Sequence, residues 1–226
     1  MTDIKQIVAQ RAAQELKDGL IINLGIGLPT LVANYVPADV DVVIHSENGA
    51  VGVGPAPMKY CDDPDRANAG GAPITLGAGG SYFDSATSFS MIRGGHVDMT
   101  FLGTLQVDGE GNIASYEIPG KLVAGMGGAM DLLAGAKIVY VTTEHCSKDG
   151  KTKLVKHCTF PLTGAAEADA IITERAVFRR YPHHKGFVLE EIARGYTLED
   201  IAACTEMDYT VSQTVKIDAF GPRPAK

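Results

Sequence analysis

The sequence predicts a three-layer α/β/α domain built on a mostly parallel sheet, and three observations carry that expectation. Leu20–Leu24 is a short apolar run of strand type that ends in Gly25-Ile26-Gly27. A helical stretch follows from Pro29, which suits a first helical turn, and Val40–His45 is a second strand-like run. Strand, glycine turn, helix, strand is a βαβ unit, and such units build parallel sheets covered by helices. The 226 residues are enough to bury about 70% of the unfolded surface without disulfide or metal staples.

The remaining elements follow in order. Residues 3–17 carry Ile4, Ile7, Val8, Ala12 and Leu16 at helical spacing, with Asp18-Gly19 as a stop. Residues 49–80 are rich in Gly, Pro and Asp and read as a long ordered excursion, the kind of segment that carries function. Asp84 caps a helix running to Arg93, and Gly94-Gly95 ends it. Met99–Leu102 is a buried-type strand, and Asp108–Asn112 is a turn between extended runs. Gly125–Asp131 opens a helix, Lys137–Thr143 is a strand, and Lys148–Lys151 is a hairpin tip. Ala170–Thr173 and Ala176–Tyr181 read as strands and Leu198–Cys204 as a helix. No repeat, linker or low-complexity tract divides the chain. Residues 1–226 read as one domain with a frayed tail over 219–226.

Composition narrows the function. Twenty basic against 27 acidic residues give a net charge of −7, which disfavours nucleic acid and anionic membranes as general partners. The N-terminus has no basic segment followed by an apolar one, so no secretory signal is read there. The apolar stretch Leu20–Val36 is interrupted by Asn23, Pro29, Thr30 and Asn34, too polar for a membrane span. Four cysteines without an export signal imply reduced thiols and a cytoplasmic protein. Glycine accounts for 26 residues, above the usual share of about 7%, and its clusters suggest loops where backbone approaches something closely.

Gly25-x-Gly27 between strand and helix is a place for a phosphate or carboxylate. A dinucleotide fingerprint needs a third glycine three residues on, where Thr30 stands, and an acidic residue about 20 residues on, near where Glu47 falls. A nicotinamide-dependent oxidoreductase is therefore a rival reading, and glycines serving only strand–helix packing are the plainer one. Glu47 itself lies in Ser46-Glu47-Asn48-Gly49 at a strand's C-terminal end, where open α/β sheets place ligands. A carboxylate is ionised at neutral pH and needs no base to act as a nucleophile. It needs an activated acyl group, a dry site and a donor for the oxyanion. The plainer reading is a capping or turn glutamate.

Asn23–Thr30, His45–Gly49 with Gly52–Pro55, Asn68–Gly71 and Phe83–Ser85 resemble the B subunit of the 3-oxoacid CoA-transferases (family I). So do Met91–Val97, Leu105–Asp108, Pro119–Lys121 and Gly125–Asp131. The resemblance is collinear over roughly residues 5–210, departs at Ala50, where many members carry a larger apolar residue, and includes the Ser-Glu-Asn-Gly signature. It implies a CoA-transferase (NagB/RpiA-like) fold with Glu47 as nucleophile, passing through an acyl–glutamyl anhydride and a glutamyl-CoA thioester. It places a Gly128 backbone N–H near the reacting carbonyl, and Asn23, Gly25, Gly27, Asn48 and Gly49 among the substrate or CoA contacts. It further implies short-chain acyl-CoA and acids such as acetoacetate as substrates, with CoA as co-substrate and no other cofactor. The partner it implies is a separate A subunit, in a heteromer such as A2B2. A non-catalytic CoA-binding subunit is the remaining alternative.

Other candidates carry plainer readings. His145-Cys146 and His157-Cys158 lack zinc-ligand spacing, so no metal is expected, and the two dipeptides are read as facing each other across a hairpin. His96 reads as a turn residue, His183-His184 as solvated, and Arg93 as a partner in an internal salt bridge.

Overall fold

The computed structural model describes residues 3–222. The first half holds α1 (Ile4–Ala13), β1 (Ile21–Leu24), a 3-10 helix (Leu28–Tyr35), β2 (Val43–Ser46), β3 (Ala50–Val53), β4 (Leu76–Tyr82), α2 (Ser85–Arg93) and β5 (Met99–Leu102). Short strands β6 (Gln106–Asp108), β7 (Ile113–Ala114), β8 (Glu117–Ile118) and β9 (Leu122–Val123) lead to α3 (Ala129–Gly135) and β10 (Ile138–Thr142). Then come β11 (Leu154–Val155), β12 (Ala170–Ile172), β13 (Ala176–Arg180), β14 (Phe187–Ile192), α4 (Leu198–Ala202) and β15 (Tyr209–Lys216).

Ten strands form one sheet in the order β15-β14-β13-β12-β10-β5-β1-β2-β3-β4. Its centre, β12-β10-β5-β1-β2, is parallel throughout. At one edge β3 and β4 return antiparallel. At the other, β13 and β14 run antiparallel to their inner neighbours and β15 lies parallel to β14.

Strand register shows how helices come to cover both faces. Leu24, Phe101 and Tyr140 lie side by side on β1, β5 and β10, and the Tyr140 hydroxyl donates to Glu15, just past α1. Asn23, Thr100 and Val139 form the next row and point the other way, because side chains alternate along a strand. His45 is beside Asn23 and meets Ser88 of α2. Thus α1 and the 3-10 helix pack on one face, and α2 and α3 on the other. All of Met99–Leu102 is buried, which is why β5 reads as a mostly apolar run with no alternation.

Several boundaries differ from expectation. Helix α1 ends at Ala13 rather than near 17, and the stretch after Gly27 is a 3-10 helix. The excursion over 49–80 contains two strands, β3 and β4, which its glycines disguise. Strands β14 and β15 carry little sequence signal: Phe187–Ile192 has no alternation, and β15 is a largely exposed edge. The first residues of the supposed frayed tail are tied down. Ala219 N–H donates to Ile192, Arg194 N–H to Phe220 and Gly221, and Phe220 is buried. Residues 223–226 lie outside the described residues.

One ionic cluster stitches α1 to the sheet. Buried Arg11 bonds Glu15 at 2.6 Å and Glu191 of β14 at 2.7 Å, and Glu15 also receives Arg179 of β13 and the Tyr140 hydroxyl. Burial alone would raise the pKa of the Glu15 carboxyl, but Arg11 and Arg179 outweigh it and hold it below the ordinary carboxylate range. Glu15→Gln leaves two guanidinium groups without their shared carboxylate, at an expected cost of about 3–5 kcal/mol at neutral pH. With the folded pKa below the unfolded one (about 4.3), this contribution is complete above the unfolded value and lost as pH falls through the folded one. Denaturant titrations should therefore show a gap from wild type at neutral pH that narrows in acid. Equal stability at neutral pH contradicts this account.

Candidate active site

The site is built at the point where the parallel centre of the sheet gives way to its antiparallel edge. Strand β2 ends at Ser46, and the chain turns straight back into β3, pairing Ser46 with Ala50 and His45 with Val51. Glu47, Asn48 and Gly49 form the tip, closed by the Gly49 N–H donating to the Ser46 carbonyl at 3.0 Å. Gly49 has φ +128°, and a Cβ there would meet the Phe83 carbonyl oxygen at 2.2 Å. Only glycine fits. The Phe83 N–H returns a hydrogen bond to the Gly49 carbonyl at 3.0 Å, clamping the tip against the chain that enters α2.

Two distant segments meet Glu47. Asn23, wholly buried on β1, donates its side-chain amide to Glu47 Oε2 at 3.0 Å. At the start of α3, a Cβ on Gly128 would lie 3.0 Å from Glu47 Cγ and 3.2 Å from Phe89 Cζ, so bare backbone packs flush on the glutamate. Ser46 Oγ donates to Asn48 Oδ1 and Asn48 Nδ2 to the Ala67 carbonyl, both at 2.7 Å, while Ala69 N–H donates to Ser46 Oγ at 3.1 Å. These bonds latch the 67–72 loop over a cavity of about 490 Å³ bordered by Ile26, Thr30, Asn34, Ser46, Asn68 and Gly70. That volume suits a small-molecule ligand.

Glu47, Gly128, Asn23, Asn48 and Gly49 are thus brought together. Asn23 faces Glu47 with no exposed surface of its own, and its amide is engaged by the carboxylate. Gly25 is a packing position, since a Cβ would meet Leu102 Cδ2 at 2.9 Å and the Phe101 carbonyl at 3.0 Å. Gly27 has φ +91° with open space beside it. Sequence reasoning overlooked His45, whose ring touches Asn23 and Ser88, and Phe89. The available signal was a polar residue late in each of two apolar strands, Asn23 and His45.

The other candidates lie elsewhere. Cys146 bridges to Thr152, not to the second dipeptide, while Cys158 N–H donates to Asp108. The expected cross-hairpin pairing is therefore wrong, because the chain after Thr152 turns into β11 beside β6. His145 is buried with Thr173 and Thr205 hydroxyls on its two nitrogens, and burial, with Arg175 nearby, lowers its pKa to about 3. No group of three or more His, Cys, Asp or Glu side chains able to hold a metal occurs among the described residues. Arg93 forms the expected internal salt bridge, to Asp131 at 2.6 Å, joining α2 to α3. A further cavity of about 600 Å³, bordered by Lys121, Lys151 and Lys153, includes none of the residues around Glu47. No helix among the described residues is long and apolar enough to cross a membrane.

Gly49→Ala tests the clamp. Backbone strain alone should cost about 1–3 kcal/mol, and the overlap with Phe83 adds to it. A thermal melt should show a clear fall in Tm, and an unchanged melt contradicts the close approach.

The chain matches the model of the Coenzyme A transferase family over residues 5–203. It is 48% identical over 215 residues to the B subunit of the probable succinyl-CoA:3-ketoacid coenzyme A transferase of Bacillus subtilis (strain 168), an alignment covering 95% of this chain and 99% of that one. It is 50% identical over 210 residues to the beta subunit of the acetate CoA-transferase of Escherichia coli (strain K12), covering 93% and 95%. The solved apoenzyme of the acyl-CoA transferase YdiF from Escherichia coli O157:H7 superposes with a TM-score of 0.77 at 25% identity, over 95% of this chain but 43% of that longer one. With the family model covering most of its length and relatives near half identity along almost all of it, the chain belongs to the coenzyme A transferase family.

Proposed function

We propose that this chain is the B subunit of a cytoplasmic CoA-transferase that moves CoA between a short-chain acyl-CoA and a free acid such as acetoacetate, with Glu47 as nucleophile. The observation that carries the reading is the glutamate at the tip of the β2–β3 hairpin, with a buried amide on one oxygen and bare glycine backbone along its side chain. The carboxylate attacks the thioester carbon, the C–S bond breaks, and a mixed anhydride and CoA thiolate result. The thiolate then adds to the glutamyl carbon, the first acid leaves, and Glu47 carries CoA as a thioester. A second acid runs these steps backwards and departs as the new acyl-CoA. The Gly128 N–H serves as a donor to the oxyanion formed on the acyl carbonyl. The cavity between the Gly27 turn and the loop held by Asn48 receives substrate. Binding energy from the remote parts of CoA is used to orient the reacting centre.

The partner is a separate A subunit, in an assembly such as A2B2, and no metal or further cofactor takes part. The subunit naming of the two bacterial relatives supports a partner, as does the greater length of the solved YdiF chain. At the rim of the site Ile26 is 67% exposed and Met126 42% exposed, apolar surface of the kind a partner covers. The oxidoreductase reading is not favoured: its third glycine is absent at Thr30, and the family match points to CoA chemistry. A purely binding subunit would have no use for a carboxylate held in this way.

Glu47→Ala in the complex with the A subunit should abolish transfer while the melt stays near wild type. Glu47→Asp keeps the charge but withdraws it by one methylene, and a misplacement near 1 Å is expected to cost on the order of a hundredfold in rate. Steady-state kinetics of acetoacetate-dependent exchange measure both. Retained transfer by Glu47→Ala defeats the proposal.

A further inference from the structure

Behind Glu47 lies a row of buried polar side chains that the steps above do not use. Asn23 and His45 stand in register on β1 and β2, and Ser88 comes down on them from α2. Their exposures are 0%, 1% and 0%. Interior polar groups are costly unless hydrogen-bonded, and this row is bonded with a definite direction.

Asn23 Nδ2 has three polar neighbours: Glu47 Oε2 at 3.0 Å, the His45 carbonyl oxygen at 3.2 Å and His45 Nδ1 at 3.3 Å. The carboxylate and the carbonyl only accept, so the amide must present its nitrogen there. An amide nitrogen only donates, so His45 Nδ1 is unprotonated and the ring proton sits on Nε2, 3.0 Å from Ser88 Oγ. Burial lowers the His45 pKa more than Glu47 raises it, which keeps the ring neutral. The Phe83 ring stacks on the imidazole at 6.3 Å and 16°. Asn23 Oδ1 is buried without a hydrogen-bond partner among the described residues, so the amide is oriented by the groups on its nitrogen alone.

We infer that His45, kept with Nδ1 unprotonated by the Asn23 amide and with its Nε2–H donated to Ser88 Oγ, is a positioning residue: it aims the Asn23 amide at Glu47 Oε2 and so selects Oε1 as the attacking oxygen. This rests on the reading of Glu47 as nucleophile. Oε1 adds to the acyl carbon and the thiolate leaves. When the thiolate adds to the glutamyl carbon, negative charge gathers on Oε2, against the Asn23 donor. The bond from that carbon to Oε1 then breaks, and Oε1 departs in the first acid. The incoming acid supplies its replacement as the steps reverse. The amide therefore stays on the oxygen that becomes charged at each exchange on the glutamyl carbon.

Three variants, assayed in the complex with the A subunit, test the inference. His45→Phe keeps a ring against Phe83 but offers no side-chain acceptor, leaving only the backbone carbonyl; His45→Asn restores an oxygen near the place of Nδ1, and Ser88→Ala removes the acceptor of the Nε2–H. His45→Phe should lower kcat on the order of a hundredfold with KM within about twofold. His45→Asn should recover most of that loss, and Ser88→Ala should fall between. Nitrogen-15 NMR of histidine-labelled wild type should show His45 as a neutral ring protonated on Nε2, with the other tautomer growing in Ser88→Ala. An unchanged kcat in His45→Phe overturns the inference, as does a wild-type ring protonated on Nδ1. Should His45→Phe fail to fold, Ser88→Ala and the spectrum decide. Activity in a parallel Glu47→Ala sample would instead sink the nucleophile reading, while the tautomer spectrum still reports on His45 alone.

Discussion

The passage of Gly49 against the Phe83 carbonyl is the contact on which the site depends. A parallel strand normally runs on into a loop and crosses over to a helix; here β2 reverses within three residues and pairs with β3 instead. The reversal needs a backbone at φ +128° lying where a Cβ would sit 2.2 Å from an oxygen, and the reward is a glutamate held at a rigid tip. Everything near Glu47 is referred to that tip. Ser46 and Asn48 hold the 67–72 loop, β1 brings Asn23 alongside, and α3 lays Gly128 against Cγ. A loop in place of the hairpin would leave the carboxylate free to wander by the ångström that orientation-dependent chemistry does not tolerate.

Much of this was legible in the residues, and what was not had physical reasons. The strands at the parallel centre are largely buried on both faces, so Ile21–Leu24, Met99–Leu102 and Ile138–Thr142 announce themselves as predominantly apolar runs. Capping announced α2, since Asp84 does accept the Thr87 N–H at 2.7 Å. The edge strands carry no such signal. Leu76–Tyr82 is Leu-Gly-Ala-Gly-Gly-Ser-Tyr, which propensity assigns to a loop, and it is a strand because Gly52 and Gly80 let β3 and β4 approach. The Ser-Glu-Asn-Gly motif pointed to Glu47 and, with the glycine run, to Gly128. Nothing in a local motif could bring in Ser88, because its meeting with His45 is made by the packing of α2 on the sheet.

The buried row also explains an arrangement that stability alone does not. Asn23 and His45 interrupt the apolar residues of β1 and β2, and one acceptor of that row, Asn23 Oδ1, goes without a partner among the described residues. An apolar pair would pack there at lower cost. Under the role proposed for Glu47, the row serves as a support for a carboxylate bonded on one oxygen and free on the other. By contrast the Arg11–Glu15–Arg179 cluster, on the opposite face and away from Glu47, is fully engaged with its own partners and answers to the fold.

The most direct test of the central claim is the mass of the Glu47 peptide. The complex with the A subunit is mixed with acyl-CoA in the absence of any acceptor acid, quenched, digested and mapped. The account predicts that the peptide containing Ser46-Glu47-Asn48 gains CoA through a thioester, with the acyl group lost as the free acid, and that borohydride reduces this adduct and inactivates the enzyme. An unlabelled Glu47 peptide from a complex that exchanges CoA at its full rate once acceptor acid is added would contradict it.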